Sequence, residues 1–122
     1  MSSEVRLSED GRYVYVTHQG RVSIVDIKAA KTEARPLFNH CDRMLVDYRQ
    51  AKLSHIKIIE IDNLGLSFKN SVPLCEKVAF VRAPAADDRV YSHLINICCV
   101  CGVETELFET LPAARNWLLE TL

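Results

Sequence analysis

Cys98, Cys99 and Cys101 crowd into one short stretch, and Cys98-x-x-Cys101 has the spacing of a redox dithiol or of half a zinc site. Both chemistries need a thiolate. A reactive pair sits at a helix N-terminus, whose positive end lowers the thiol pKa. These cysteines fall instead at the C-terminal end of an apolar helical stripe, whose negative end raises it. A structural zinc also needs four ligands. His93 lies five residues before Cys98 and fits the group poorly, and nothing in the sequence brings Cys41 or Cys75 near. The cysteines therefore read as small core residues, and no metal or other cofactor is expected. Five cysteines cannot pair completely within one chain, so they are expected as thiols.

A second group of chemistry-bearing residues falls at the ends of predicted strands. His18 and Gln19 close one strand, Asp47, Tyr48, Arg49 and Lys52 another, Arg82 a third, and Asp87–Arg89 follow. Open α/β sheets place ligands at the carboxyl ends of their parallel strands. His18, Tyr48, Arg49, Lys52 and Arg82 are therefore the expected ligand rim, suited to an anionic ligand or an acidic partner. Asp47 reads as an organiser of its loop, because no nucleophile or second acid is spaced to work with it. The four histidines form no HExxH pair. With four glycines in all and no Gly-rich loop, a phosphate cradle of backbone N–H groups is not expected. No catalytic motif stands out, and the chain is not expected to be an enzyme.

The elements that must hold these residues follow from periodicity. Val5 and Leu7 begin an alternating run, Asp10-Gly11 is a two-residue hairpin signal, and Tyr13–Thr17 is rich in β-formers. Strands are predicted at about 3–8 and 12–18, paired antiparallel. Ser23 with Asp26 resembles a capping box, opening a helix to about His40 that Pro36 should kink or stop early. Met44–Tyr48 reads as a buried strand. The span 55–68 is ambiguous, with Ile56, Ile58, Ile59 and Ile61 favouring a strand and Ser54 as N-cap favouring a helix. Helix is predicted, because the flanking strands need a crossover. Lys77–Ala83 is the clearest strand. A third helix follows, with Val90, Leu94, Ile97, Cys98 and Cys101 on one face and Gly102 at its end. Glu104–Phe108 is a short strand, and Thr110 caps a last helix carrying Pro112 and Trp117.

The order ββαβαβαβα implies an α/β fold, residues 1–122 forming one domain with a mostly parallel sheet and an antiparallel N-terminal hairpin strand. Helix three carries a second apolar row, Tyr91, Ile95 and Cys99, on a different side from the first. Either helix two covers it or a partner does, and a homodimer through this face is an expectation.

Composition is that of an ordinary globular chain: 122 residues, 48% hydrophobic, 25% charged and a net charge of -1. Nucleic acid binders usually carry a basic excess, which is missing here. The N-terminal MSSEVRLSEDGR has no apolar core, so no signal peptide is expected. The longest apolar run, Leu94–Val103, falls short of the ~20 residues that span a bilayer. A soluble, cytoplasmic protein without a transmembrane segment is expected.

The hairpin with Gly20 before helix one, Leu45–Arg49 (LVDYR), Lys77–Val81 (KVAFV) and Leu107–Glu120 (LFETLPAARNWLLE) occur in this order and spacing. Together they resemble the STAS-type, SpoIIAA-like domains, in particular small stand-alone bacterial STAS/SEC14-like proteins. The resemblance covers nearly the whole chain. It implies a regulatory module that binds a partner protein and is switched by phosphorylation of a Ser at the start of helix two. The hallmark Asp-Ser-Ser-Gly is replaced here by Lys52-Leu53-Ser54-His55-Ile56-Lys57. Ser54, His55 and Lys57 are the partner-binding residues this implies, with the partner unidentified. The SEC14-like (CRAL-TRIO) relation implies an alternative, a lipid or other small apolar or anionic ligand held in an enclosed cavity between helices two and three and the sheet.

Overall fold

A computed structural model gives the architecture and describes residues 2–53, 56–68, 75–84 and 88–120. Five strands form one sheet: β1 (Ser2–Leu7), β2 (Val14–Arg21), β3 (Arg43–Lys52), β4 (Lys77–Val81) and β5 (Glu104–Phe108). They lie in sequence order, β1 antiparallel to β2 and the rest parallel. Four α-helices connect or follow them: α1 (Ile24–Ala34), α2 (Ile58–Phe68), α3 (Asp88–Val100) and α4 (Leu111–Leu118). This is the expected ββαβαβαβα order.

The local signals act largely as their chemistry requires. Ser23 and Asp26 complete a capping box: Asp26 N–H donates to Ser23 Oγ, and Ser23 N–H donates to Asp26 Oδ2 at 2.8 Å. Pro36, which has no N–H to donate, stops α1 at Ala34, and the chain continues as a 3₁₀ turn over Arg35–Asn39. The ambiguous isoleucine-rich span is helical. Its helix starts at Ile58 and not directly after Ser54, because Glu60 Oε1 accepts the Lys57 N–H at 3.0 Å and supplies the cap. At the end of α3, Gly102 takes φ 86° and Val103 N–H donates to Cys98 O at 2.9 Å, closing a Schellman-type stop.

One turn differs from expectation. Asp10-Gly11 does not form a two-residue hairpin; the chain between Leu7 and Val14 makes a wider loop. Gly11 N–H donates to Ser8 O at 2.9 Å, and Ser8 N–H donates to Tyr13 O at 2.9 Å. Ser8 is the reason: its Oγ accepts from Arg12 N–H and Tyr13 N–H and donates to Asp10 Oδ1 at 2.6 Å. These side-chain bonds stabilise the longer turn.

The two faces of the sheet are covered unequally. α4 alone packs on one face, over Leu45, Ala79 and Val81, through Ala114 and Leu118. Two cations hold its last carbonyls: Arg43 Nη1 donates to Leu118 O, and Lys77 Nζ donates to Trp117 O at 3.4 Å while lying 4.5 Å from the Trp117 ring centre. The other face, built on Val14, Val16, Val46, Tyr48, Val78 and Phe80, receives α1, α2 and α3. α3 packs on α2 and β5, and α1 on β1 with a lighter contact to α2. Among the described residues, the helices on this face leave the mid-sheet roofed only in part.

Candidate functional site

The incomplete roof leaves an apolar cavity of about 140 Å³ on the three-helix face. Its floor is Val16, Val46, Val78 and the larger Phe80 on the parallel strands. Ala30 and Ala34 form the α1 wall, and Leu94, Ile97 and Cys98 the α3 wall. The local sequence explains the void. α1 turns alanines toward the sheet, and the strands offer β-branched valines, so neither side reaches across the gap.

His18 lines the cavity and is 2% exposed. Its Nδ1 lies 2.7 Å from Ser3 Oγ on the neighbouring strand. Burial pushes its pKa below the ordinary histidine value, against a smaller opposing pull from Asp26. The imidazole therefore favours the neutral form. His18 stacks on Tyr48 at 5.2 Å and 9° between planes, and Tyr48 stacks on Phe80 at 5.9 Å and 20°. Tyr91 leans on Tyr48 at 5.8 Å from α3, and its hydroxyl accepts the Ala83 N–H at 3.1 Å. Opposite His18 the pairing of β2 with β3 shifts register: Thr17 faces Asp47, but Gln19 faces Gln50. This β-bulge puts Tyr48 and Arg49 against one residue and helps set the ring row.

The structure separates the expected ligand rim. His18 and Tyr48 line the cavity, whereas Arg49 lies on the opposite face of the sheet. There it binds Asp47, Nη2 donating to Oδ2 at 2.8 Å and Nε to Oδ1 at 3.0 Å, and Tyr15 Oη donates to Oδ2 at 3.0 Å. Burial pushes the Asp47 carboxyl up, but these bonds and the Arg49 backbone N–H outweigh it and hold the pKa below the usual carboxylate value. Asp47 is thus fully engaged, as an organiser would be. Lys52 is exposed at the end of β3, and Arg82 lies 6.0 Å from the Tyr91 ring centre. The five residues do not form one crevice, because alternate strand positions point to opposite faces.

Two further expectations change. Tyr91 is 1% exposed and belongs to the core, so it cannot form an oligomer face; Ile95 packs partly against that core, and Cys99 is exposed. Tyr48 of the sheet and the chain at Arg82 and Ala83 pack against the second apolar row at Tyr91. Of the expected partner-binding residues, Lys57 is exposed, and Ser54 and His55 lie outside the described residues.

The cysteines are not scattered as their positions in the sequence suggested. Cys75, Cys98 and Cys101 all line the cavity. Burial first, then neighbouring thiols, pushes Cys98 up to about 11 and Cys75 up to about 12. They remain protonated and apolar in character. Among the described residues no three His, Cys, Asp or Glu side chains converge where a metal ion could sit. None of the described helices is long and apolar enough to cross a membrane. A second hollow, of about 320 Å³ near Arg12, His40, Asp42 and Arg43, has no buried residue in its lining.

Sequence reasoning missed the cavity residues Ala30, Lys31, Ala34 and Phe38. The available signal was the alanine-rich inner face of α1 set against valine-rich strands.

No family model matches the chain, and no curated protein does. A solved structure does match: an uncharacterised protein of the DUF3478 family with a SpoIIAA-like fold from Shewanella loihica PV-4. The two are 15% identical, the match covers 96% of this chain and 92% of that one, and the TM-score is 0.57. At that identity the likeness is one of fold. The fold of this chain is SpoIIAA-like, a five-stranded mixed sheet with four α-helices, as the sequence resemblance implied.

Proposed function

We propose that this chain is a non-enzymatic binding module that holds a small apolar ligand between α1, α3 and the sheet. The cavity carries this reading. Its volume of about 140 Å³ matches the scale, ~150 Å³, at which an apolar cavity accepts a benzene-sized molecule. Its lining also offers apolar contact on every side, with His18 and Lys31 as the polar exceptions. The side chains that could do chemistry nearby are poorly placed for it: the buried thiols stay protonated and Asp47 faces away. The absence of a basic excess speaks for a small ligand and against nucleic acid. A cytoplasmic location belongs to the same reading.

Benzene titrated into the labelled protein tests it by NMR. Saturable shifts confined to the methyls of Ala30, Ala34, Val46 and Val78 are the expected result. A titration that leaves those methyls unmoved, or moves surface methyls equally, overturns the reading.

A second reading, recognition of a protein partner at the start of α2, draws on Ile59, which is 65% exposed close to exposed Lys57. An apolar side chain beside a cation suits a partner surface that is apolar with an acidic edge. Ile59→Asp should then abolish capture of that partner, and unchanged capture by Ile59→Asp and Lys57→Glu alike would remove this reading.

A further inference from the structure

The burial of the cavity lining shows which way the cavity opens. Val16, Val46, Tyr48, Val78 and Phe80 on the sheet side are buried, whereas Ile27 and Lys31 on α1, Ile97 and Cys98 on α3, and Cys101 in the turn just after α3 are only half-buried. The mouth therefore lies between α1 and α3. Among the described residues, Lys31 stands there as the one lysine or arginine that lines the cavity. Arg35, one helical turn further on, adds a second cation beside it. Deeper in the lining, His18 is buried and stacked on Tyr48. The site is thus amphipathic along one axis, apolar within and cationic at its entrance.

We propose that the ligand is an anionic amphiphile, its apolar body of about six to eight carbons filling the cavity and its acid head lying against Lys31 at the mouth. This rests on the ligand reading above and adds the charge and size of the ligand. The electrostatics agree with the geometry. Burial lowers the Lys31 pKa and the Arg35 charge lowers it further, opposed only to the extent that Cys101 and Cys98 ionise. A bound acid would offset both unfavourable effects at once, while a neutral guest would add to the first and a cation to the second. The length of the body follows from the volume of the cavity, about 140 Å³. A carboxylate and a phosphate monoester share this head chemistry.

Calorimetric titration of the full chain with octanoate, octyl phosphate, octan-1-ol and octylamine separates the alternatives. Octanoate or octyl phosphate should bind about tenfold more tightly than octanol, and octylamine more weakly than either. Whichever of the two acids binds better identifies the head. Lys31→Met keeps the apolar stem and should bring the acids down to the octanol affinity without changing octanol. Ala30→Leu, which fills the void, should abolish binding of all four. Palmitate should bind no more tightly than octanoate. If octanol binds but octanoate gains nothing, or Lys31→Met leaves octanoate unchanged, the anionic inference falls and the apolar-ligand reading stands. If none of the four binds, both fall. If Ala30→Leu, shown folded by its spectrum, still binds octanoate, the ligand lies elsewhere and the inference is overturned.

Discussion

Asp47 reads in the sequence as an organiser of its loop, and in the fold its carboxylate is held by the Arg49 guanidinium. The carboxylate, 7% exposed, accepts from a guanidinium that keeps 42% of its surface in water. The two partners should therefore not be equivalent to mutation. Asp47→Asn leaves a solvated cation and should cost about 1 kcal/mol, whereas Arg49→Met strands a buried anion and should cost about 2–3 kcal/mol. Urea midpoints rank the two, and the reverse order would mean that the carboxylate is well hydrated. The thiols make a second test at this scale. Cys75 and Cys98 are pushed to about 12 and about 11 by burial, and Cys99 is exposed. Iodoacetamide at pH 8 should label Cys99 first and leave Cys75 and Cys98 intact until the protein unfolds, which peptide mass mapping reads directly.

At the scale of elements, caps and breakers set the helix ends. The Ser23–Asp26 box satisfies two N–H groups that helix α1 would otherwise leave unpaired. Ser23→Ala should cost about 1 kcal/mol, seen as a lower thermal midpoint, and Ser23→Asp should restore most of it. The inner face of α1 matters in the opposite sense. Ala30 is 6% exposed and borders the cavity, so Ala30→Leu adds apolar volume where there is space for it. The variant should gain about 0.5–2 kcal/mol in urea unfolding while losing ligand binding. A destabilised Ala30→Leu protein would show that the void closes in solution. Under the proposed ligand binding, stability and binding are thus set against each other at one position of one helix.

At the scale of the whole molecule, the buried histidine ties stability to pH. Burial depresses the folded-state pKa of His18 below its unfolded value of 6.5. The folded state then takes up the proton less readily than the unfolded chain. Its contribution to stability is complete above pH 6.5, falls as pH drops through the folded-state pKa, and levels off below it. Urea midpoints measured from pH 7 to pH 5 should decline, and His18→Gln should flatten that decline. An equal slope in His18→Gln would assign the effect to other groups. Covering one face of the sheet with α4 and the other with three helices places this histidine, the ring row and the cavity on the same side.

Much of this architecture was legible in the residues because it depends on neighbours in sequence. The capping box at Ser23, the break at Pro36, the glycine stop at Gly102 and the strand Lys77–Val81 all follow from bonds made or lost within a few residues. Order and spacing of such pieces also carried the SpoIIAA-like resemblance. Side-chain facing across the sheet could not be read in the same way. A strand position fixes its face only once the pairing register is known, and the bulge opposite His18 shifts that register at the point where the rim residues lie. His18 and Tyr48 consequently turn inward while Arg49 turns outward. The cavity is further still from the sequence. It is bordered by α1, α2 and α3 over the sheet, and Ala30, Ala34, Leu64, Cys75 and Cys98 converge on it from distant parts of the chain. Local chemistry determined the elements, and only their packing decided that a space would remain between them, since a void is a property of what neighbouring surfaces fail to fill.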